Sequence, residues 1–269
     1  MGLICFGSVR SSPGVTATVL ALAASWPETP APVVVEADPD GGVLAARYGL
    51  GRAGESPGLT SLATAARRGL GAGELGRHTQ ELPGGIGVVV GPDAADSVIA
   101  ALRTAGQDVG TWLARQPDVM ALADCGRLRP GSPALDFVRC ASRLLVVVRP
   151  RVEELQVLAQ RVGVLAELAP LGLVLVGERP YSPAEVSEVL GAEVLGVMAE
   201  DARGARALEG GASARVLRRS PFARSALALT GRLAASSDVV PIEGEQPPWP
   251  VDEGAVSVSL AERLRAGGA

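Results

Sequence analysis

An α/β fold, doubly wound around a mainly parallel sheet flanked by helices, is what this sequence predicts, on three observations. Short β-rich runs alternate with Ala/Leu-rich segments of helical length. Several of those runs are apolar at consecutive positions, the pattern of strands covered on both faces. With 269 residues and 47% hydrophobic content, the chain can bury a core large enough for one such domain.

Taken in order, strands are expected in "LICFG" (3–7), "PVVVEAD" (32–38), "IGVVVG" (86–91), "DVMALAD" (118–124), "LLVVVRP" (144–150), "LGLVLVG" (171–177) and "VLGVMAE" (194–200). Helices are expected over 14–25, 58–69, 93–104, 152–167, 182–190 and 221–235. The fifth has the clearest start: Ser182 can cap it, and Pro183 fits a first turn whose N–H has no partner anyway. The core therefore spans 1–235. From Ser236 the composition turns Pro-rich and acidic, which reads as an extended linker over 236–254. Residues 255–269 follow as a tail or a short amphipathic helix with Val256, Leu260 and Leu264 on one side.

Every one of the 25 basic residues is arginine, so phosphate charge must be met here by arginine, backbone N–H groups or metal, never by lysine. A net charge of −4 gives no general attraction to nucleic acid or to anionic lipid. The arginine-rich stretch Ala214–Arg224 is a local exception and reads as a solvated helix start. Cys5, Cys125 and Cys140 are odd in number and widely spaced, with no CxxC pair, which fits a reducing cytoplasm. His78 stands among polar residues and reads as a surface histidine in a loop. No run reaches transmembrane length, and "MGLICF" lacks the charged leader of a signal peptide.

Three stretches carry chemistry. "VRSSPGVTAT", Val9 to Thr18, joins the first strand to the first helix, an arrangement that presents unpaired N–H groups to an anion. Within it Gly14 allows close approach, Thr16 offers a hydroxyl to a Mg²⁺ shell, and Pro13 withholds one donor. "VVVEADPDGG" ends a strand in Glu36 and Asp38 before residues that would form a turn in any fold. "DVMALADCGRL" ends an apolar strand in Asp124.

In these elements and their order the sequence resembles the ParA/MinD superfamily of deviant-Walker ATPases, whose P-loop reads KGGxGKT. Laid on that pattern, "RSSPGVT" places Arg10 at the signature lysine, Ser11 and Ser12 at the loop glycines, and Gly14 at the last glycine. Val15 stands at the second lysine and Thr16 at the Mg²⁺-binding hydroxyl, with Ala17 beside it. The resemblance implies a P-loop NTPase-like domain binding ATP and Mg²⁺. Arg10, Ser11, Ser12, Gly14, Val15, Thr16 and Ala17 would surround the nucleotide, and Thr16, Asp38 and Asp124 the metal. Asp38 would face the attacking water as the catalytic residue. "LVLVGERPYSPAEV" resembles the strand that delivers an adenine-contacting Asn-Arg, but Gly177 replaces the asparagine and leaves Arg179 for the base. The likeness covers most of residues 2–235.

Loss of one charged hydrogen bond weakens binding by about 1.5–3 kcal/mol, roughly ten- to a hundredfold. Catalysis suffers more, because the lysines also stabilise charge in the transition state. The leading expectation is therefore a homodimerising localisation or assembly factor with weak or absent ATP binding. Its nearest pattern is the TadZ/CpaE branch, which positions Tad-type pilus machinery. The implied partner is a protein of a secretion, pilus or positioning system, in a cytoplasmic protein that touches the membrane at most through its C-terminal segment. Two alternatives stand beside it: an active Mg-ATPase switch using arginine for the P-loop lysine, and a ligand-free structural interaction module.

Overall fold

Residues 2–10, 13–27, 29–50, 57–206 and 220–236 are described in a computed structural model, in which eight strands form one sheet. The strands are β1 (Gly2–Ser8), β2 (Ala31–Glu36), β3 (Gln80–Leu82), β4 (Ile86–Val89), β5 (Val119–Arg127), β6 (Arg143–Val148), β7 (Leu171–Val176) and β8 (Val194–Met198). Their spatial order is β3-β4-β2-β5-β1-β6-β7-β8, parallel throughout except for β3. All seven expected strands are present, with edges shifted by a few residues. The eighth, β3, pairs antiparallel with β4. Three residues carry too little alternation to be read as a strand in advance.

Helices cover both faces: α1 (Val15–Ser25), α2 (Leu44–Tyr48), α3 (Leu59–Ala66), α4 (Glu74–His78), α5 (Ala95–Ala114), α6 (Ala134–Val138), α7 (Val152–Ala159), α8 (Val162–Ala166), α9 (Pro183–Leu190), α10 (Ala202–Arg206) and α11 (Pro221–Ser236). Strand β1 shows why the runs are continuously apolar. Its Leu3 and Cys5 enter a layer shared with Leu62, Leu102 and Phe137, while Ile4 and Phe6 enter the opposite layer with Val19, Leu22 and Leu229. At the start of α9, Ser182 caps as expected, its hydroxyl accepting from the Glu185 N–H at 3.4 Å, and the Glu185 carboxylate accepts in return from the Ser182 N–H at 2.8 Å.

Several expectations are corrected. The helix expected over 93–104 runs on to Ala114, and Gly110 within it admits a close neighbour. A Cβ on Gly110 would lie 3.0 Å from the Cys140 Cβ. The helix expected over 152–167 is two, α7 and α8, separated at Gln160–Arg161, where the Arg161 guanidinium reaches the Leu128 carbonyl. His78 is not a surface loop residue. It ends α4, is 9% exposed, and its Nδ1 hydrogen bonds the Ser61 hydroxyl at 2.8 Å. Burial holds its pKa below the ordinary value, so it serves as a neutral packing residue. Among the described residues no helix is long and apolar enough to cross a membrane. The linker and tail expected over 236–254 and 255–269 lie, beyond Ser236, outside the described residues.

Candidate functional site

Strand β1 lies at the point where the chain changes direction: it continues to β2 on one side of the sheet and later, from β5, crosses to β6 on the other. Parallel sheets open a crevice beyond the carboxyl ends of their strands at such a point. Here the crevice is a cleft of about 310 Å³ lined by Ser8 of β1, Gly14 to Ala17, Asp38 after β2, and Asp124, Gly126 and Arg127 of β5.

The floor of the cleft is the N-terminus of α1. Gly14 precedes it with φ +98°, a conformation that favours glycine, and a Cβ there would meet nothing within 4 Å. The helical ladder begins with the Thr18 N–H donating to the Gly14 carbonyl at 2.9 Å. The N–H groups of Val15, Thr16 and Ala17 therefore have no intrahelical acceptor, and no acidic side chain occupies the first turn. Such a turn can receive an anion through backbone N–H groups.

Over this floor sit the acids. The Thr16 hydroxyl donates to Asp124 Oδ2 at 2.6 Å, and the Gly126 N–H donates to Oδ1 at 3.0 Å. Burial raises the Asp124 carboxyl to about 7, against those two hydrogen bonds and with help from the charges of Asp38 and Glu36. Asp38 accepts from the Asp40 N–H at 2.9 Å and is likewise raised by burial. Gly126, at φ +55°, has no room for a side chain, since a Cβ would collide with the Asp38 carboxylate. Glu36 has another task. Its Oε1 accepts from the Val43 and Leu44 N–H groups at 2.6 and 3.0 Å and its Oε2 from Gly91 at 3.0 Å, tying the end of β2 to the loop that starts α2.

Of the residues expected from sequence, Gly14, Val15, Thr16, Ala17, Asp38 and Asp124 converge on the cleft. The Val15 side chain is 6% exposed and packs into the apolar layer that holds Ile4, Phe6 and Val19. Arg10 is exposed and turned aside, its Nη1 donating to the Glu153 carbonyl at 3.3 Å. Arg179 is exposed beyond β7 and does not line the cleft, and Gly177 beside it has φ +82° with Glu200 as neighbour. Ser11 and Ser12 lie outside the described residues. Sequence reasoning missed Ser8, Gly126 and Arg127. The only available signal was that the last two directly follow Asp124 and Cys125.

No family model matches the chain, and no curated protein matches it by sequence. Solved structures match in fold. The septum site-determining protein MinD from Pyrococcus horikoshii OT3, complexed with Mg-ADP, aligns with a TM-score of 0.69 at 18% identity over 87% of this chain and 97% of that one. A ParA family ATPase from Chlorobium tepidum TLS aligns with a TM-score of 0.64 at 14% identity over 86% and 98%. A chain of the MinC:MinD cell division protein complex from Aquifex aeolicus aligns with a TM-score of 0.62 at 16% identity over 91% and 99%. The eight-stranded, mostly parallel sheet is thus the MinD/ParA type of P-loop NTPase fold.

Proposed function

We propose that this chain, built on the MinD/ParA fold, is a localisation or assembly factor that binds Mg-ATP weakly and dimerises in response. The observation that carries the reading is the Thr16–Asp124 hydrogen bond at 2.6 Å, set over the N-terminal turn of α1. A hydroxyl and a carboxylate are hard oxygen donors, and the first turn of α1 receives phosphate, so the residues fit a Mg-nucleotide. Bound Mg²⁺ would supply charge neutralisation for the phosphates. Thr16, through its hydroxyl, and Asp124, through its carboxylate, would hold that metal. Val15 explains the weakness, since its buried side chain brings no charge to the loop.

Calorimetric titration with ATP and Mg²⁺, with light scattering for mass, tests this. Weak saturable heat with a doubling of mass, both lost in Thr16→Val, is expected. No heat and no change of mass would leave the ligand-free interaction module. One observation favours an active switch as the second reading: Asp38 reaches the cleft with room cleared by Gly126. Phosphate release that disappears in Asp38→Ala would establish it. The finer placement beside Tad-type pilus machinery rests on sequence resemblance. The complex of the Aquifex protein with MinC is the precedent for a protein partner.

A further inference from the structure

Strand β5 carries one residue more than its neighbour at the cleft. Its pairing with β1 is regular from Gly2↔Met120 to Phe6↔Asp124, then skips, so that Ser8 pairs with Arg127. Two residues, Cys125 and Gly126, stand opposite the single Gly7. A bulge of this kind reverses the facing of every residue that follows it. Without it Arg127 would face the layer of Ala121, Ala123 and Cys125. With it, Arg127 shares the face of Phe6, Ser8 and Asp124, and it is Leu128 that enters the other layer, where a Cβ on Gly7 would collide with its side chain. The bulge aims an arginine into the cleft.

Among the described residues that arginine has no ion pair, whereas other arginines of the chain are engaged. Arg10 donates to the Glu153 carbonyl, and Arg129 is paired with Asp40 at 3.0 Å. Arg151 lies 3.9 Å from Glu200, and Arg47, which also lines the cleft, has an interaction of its own. Arg127 is half-buried, lines the cleft, acts on the Asp38 charge, and forms no ion pair among the described residues. A guanidinium with no ion pair among the described residues, beside the first turn of α1, is suited to an anion with several oxygens, which it can grip by two N–H groups at once.

We propose that Arg127 is the phosphate-binding cation of this cleft, delivered from the end of β5 in place of the lysine missing from the loop. The proposal rests on the nucleotide reading above and adds to it the residue that meets the phosphate charge.

The test compares the full chain with Arg127→Gln, Arg127→Lys, Arg10→Gln and Arg139→Gln, titrated with Mg-ATP, Mg-tripolyphosphate and adenosine. Arg139 sits on an exposed pair with Asp136, remote from the cleft lining, and serves as the neutral control. Arg127→Gln should weaken both phosphate ligands by about ten- to a hundredfold, a hydrogen bond to a charged group being worth that much. Arg127→Lys should recover part of the loss, and Arg139→Gln should bind as wild type. Equal thermal melting of the Arg127 variants and wild type establishes that the fold is kept. Wild-type binding unchanged in Arg127→Gln, or weakened only in Arg10→Gln, would overturn the proposal and leave the nucleotide reading intact. Failure of the wild type to bind either phosphate ligand would overturn both.

Discussion

Replacing Asp124 by asparagine should make the ligand-free protein progressively more stable relative to wild type as pH rises. The side chain is 2% exposed, and its carboxyl is displaced from 3.8 to about 7 chiefly by burial. The folded state therefore holds this proton more tightly than the unfolded chain does. The wild type keeps the full contribution only below the unfolded value of 3.8 and loses it as pH climbs through about 7. About three pH units at about 1.4 kcal/mol each make about 4 kcal/mol, of which roughly 2–3 kcal/mol falls between about pH 5 and about pH 8. Asparagine does not titrate. Its oxygen still accepts from Thr16, while its NH₂ facing the Gly126 N–H forfeits about 1–3 kcal/mol at every pH. Urea unfolding in the presence of a chelator at both pH values should show the variant gaining on wild type by roughly 2–3 kcal/mol from the lower to the higher. A difference that does not move with pH would refute the reasoning, because Asp124 would then be ionised in both samples. Mg²⁺ added at the higher pH should narrow the gap, since only the wild type presents a carboxylate to the cation.

Three further outcomes follow from the geometry. Gly126→Ala places a Cβ against the Asp38 carboxylate at a φ of +55°, and should lower the melting temperature through about 1–2 kcal/mol of backbone strain while removing any Asp38-dependent phosphate release. Glu36→Gln turns an NH₂ toward one of the N–H groups of Val43, Leu44 and Gly91, and denaturant titration should register a loss of about 1–3 kcal/mol. Ser182→Ala removes the cap of α9 and should reduce unfolding free energy by about 1 kcal/mol while leaving nucleotide calorimetry unchanged.

The strands were legible because burial on both faces forces continuous apolar runs, and the order of runs and helical segments is enough to imply a doubly wound sheet. Gly14, Thr16, Asp38 and Asp124 were legible for a related reason: each lies at or soon after the carboxyl end of a strand, so chain order brings them to one edge of the sheet. The continuation of α5 beyond residue 104 has no local signature, because it rests on the close approach of Cys140, which follows α6, to Gly110. The burial of His78 depends on Ser61, 17 residues away, and has no local signature.

What the sequence by itself determined, then, is the fold class and the order in which Gly14, Thr16, Asp38 and Asp124 follow their strands. The direction of the charges was decided only in the folded chain. Arg10 follows β1 in the chain, yet its guanidinium turns to the Glu153 carbonyl, which comes within reach only once the chain has crossed to α7. Arg127 gained the cleft through a bulge whose existence depends on the register between two strands more than a hundred residues apart. Side-chain facing in a strand alternates with every residue, so a single inserted residue reverses it, and no local pattern records on which strand the extra residue falls.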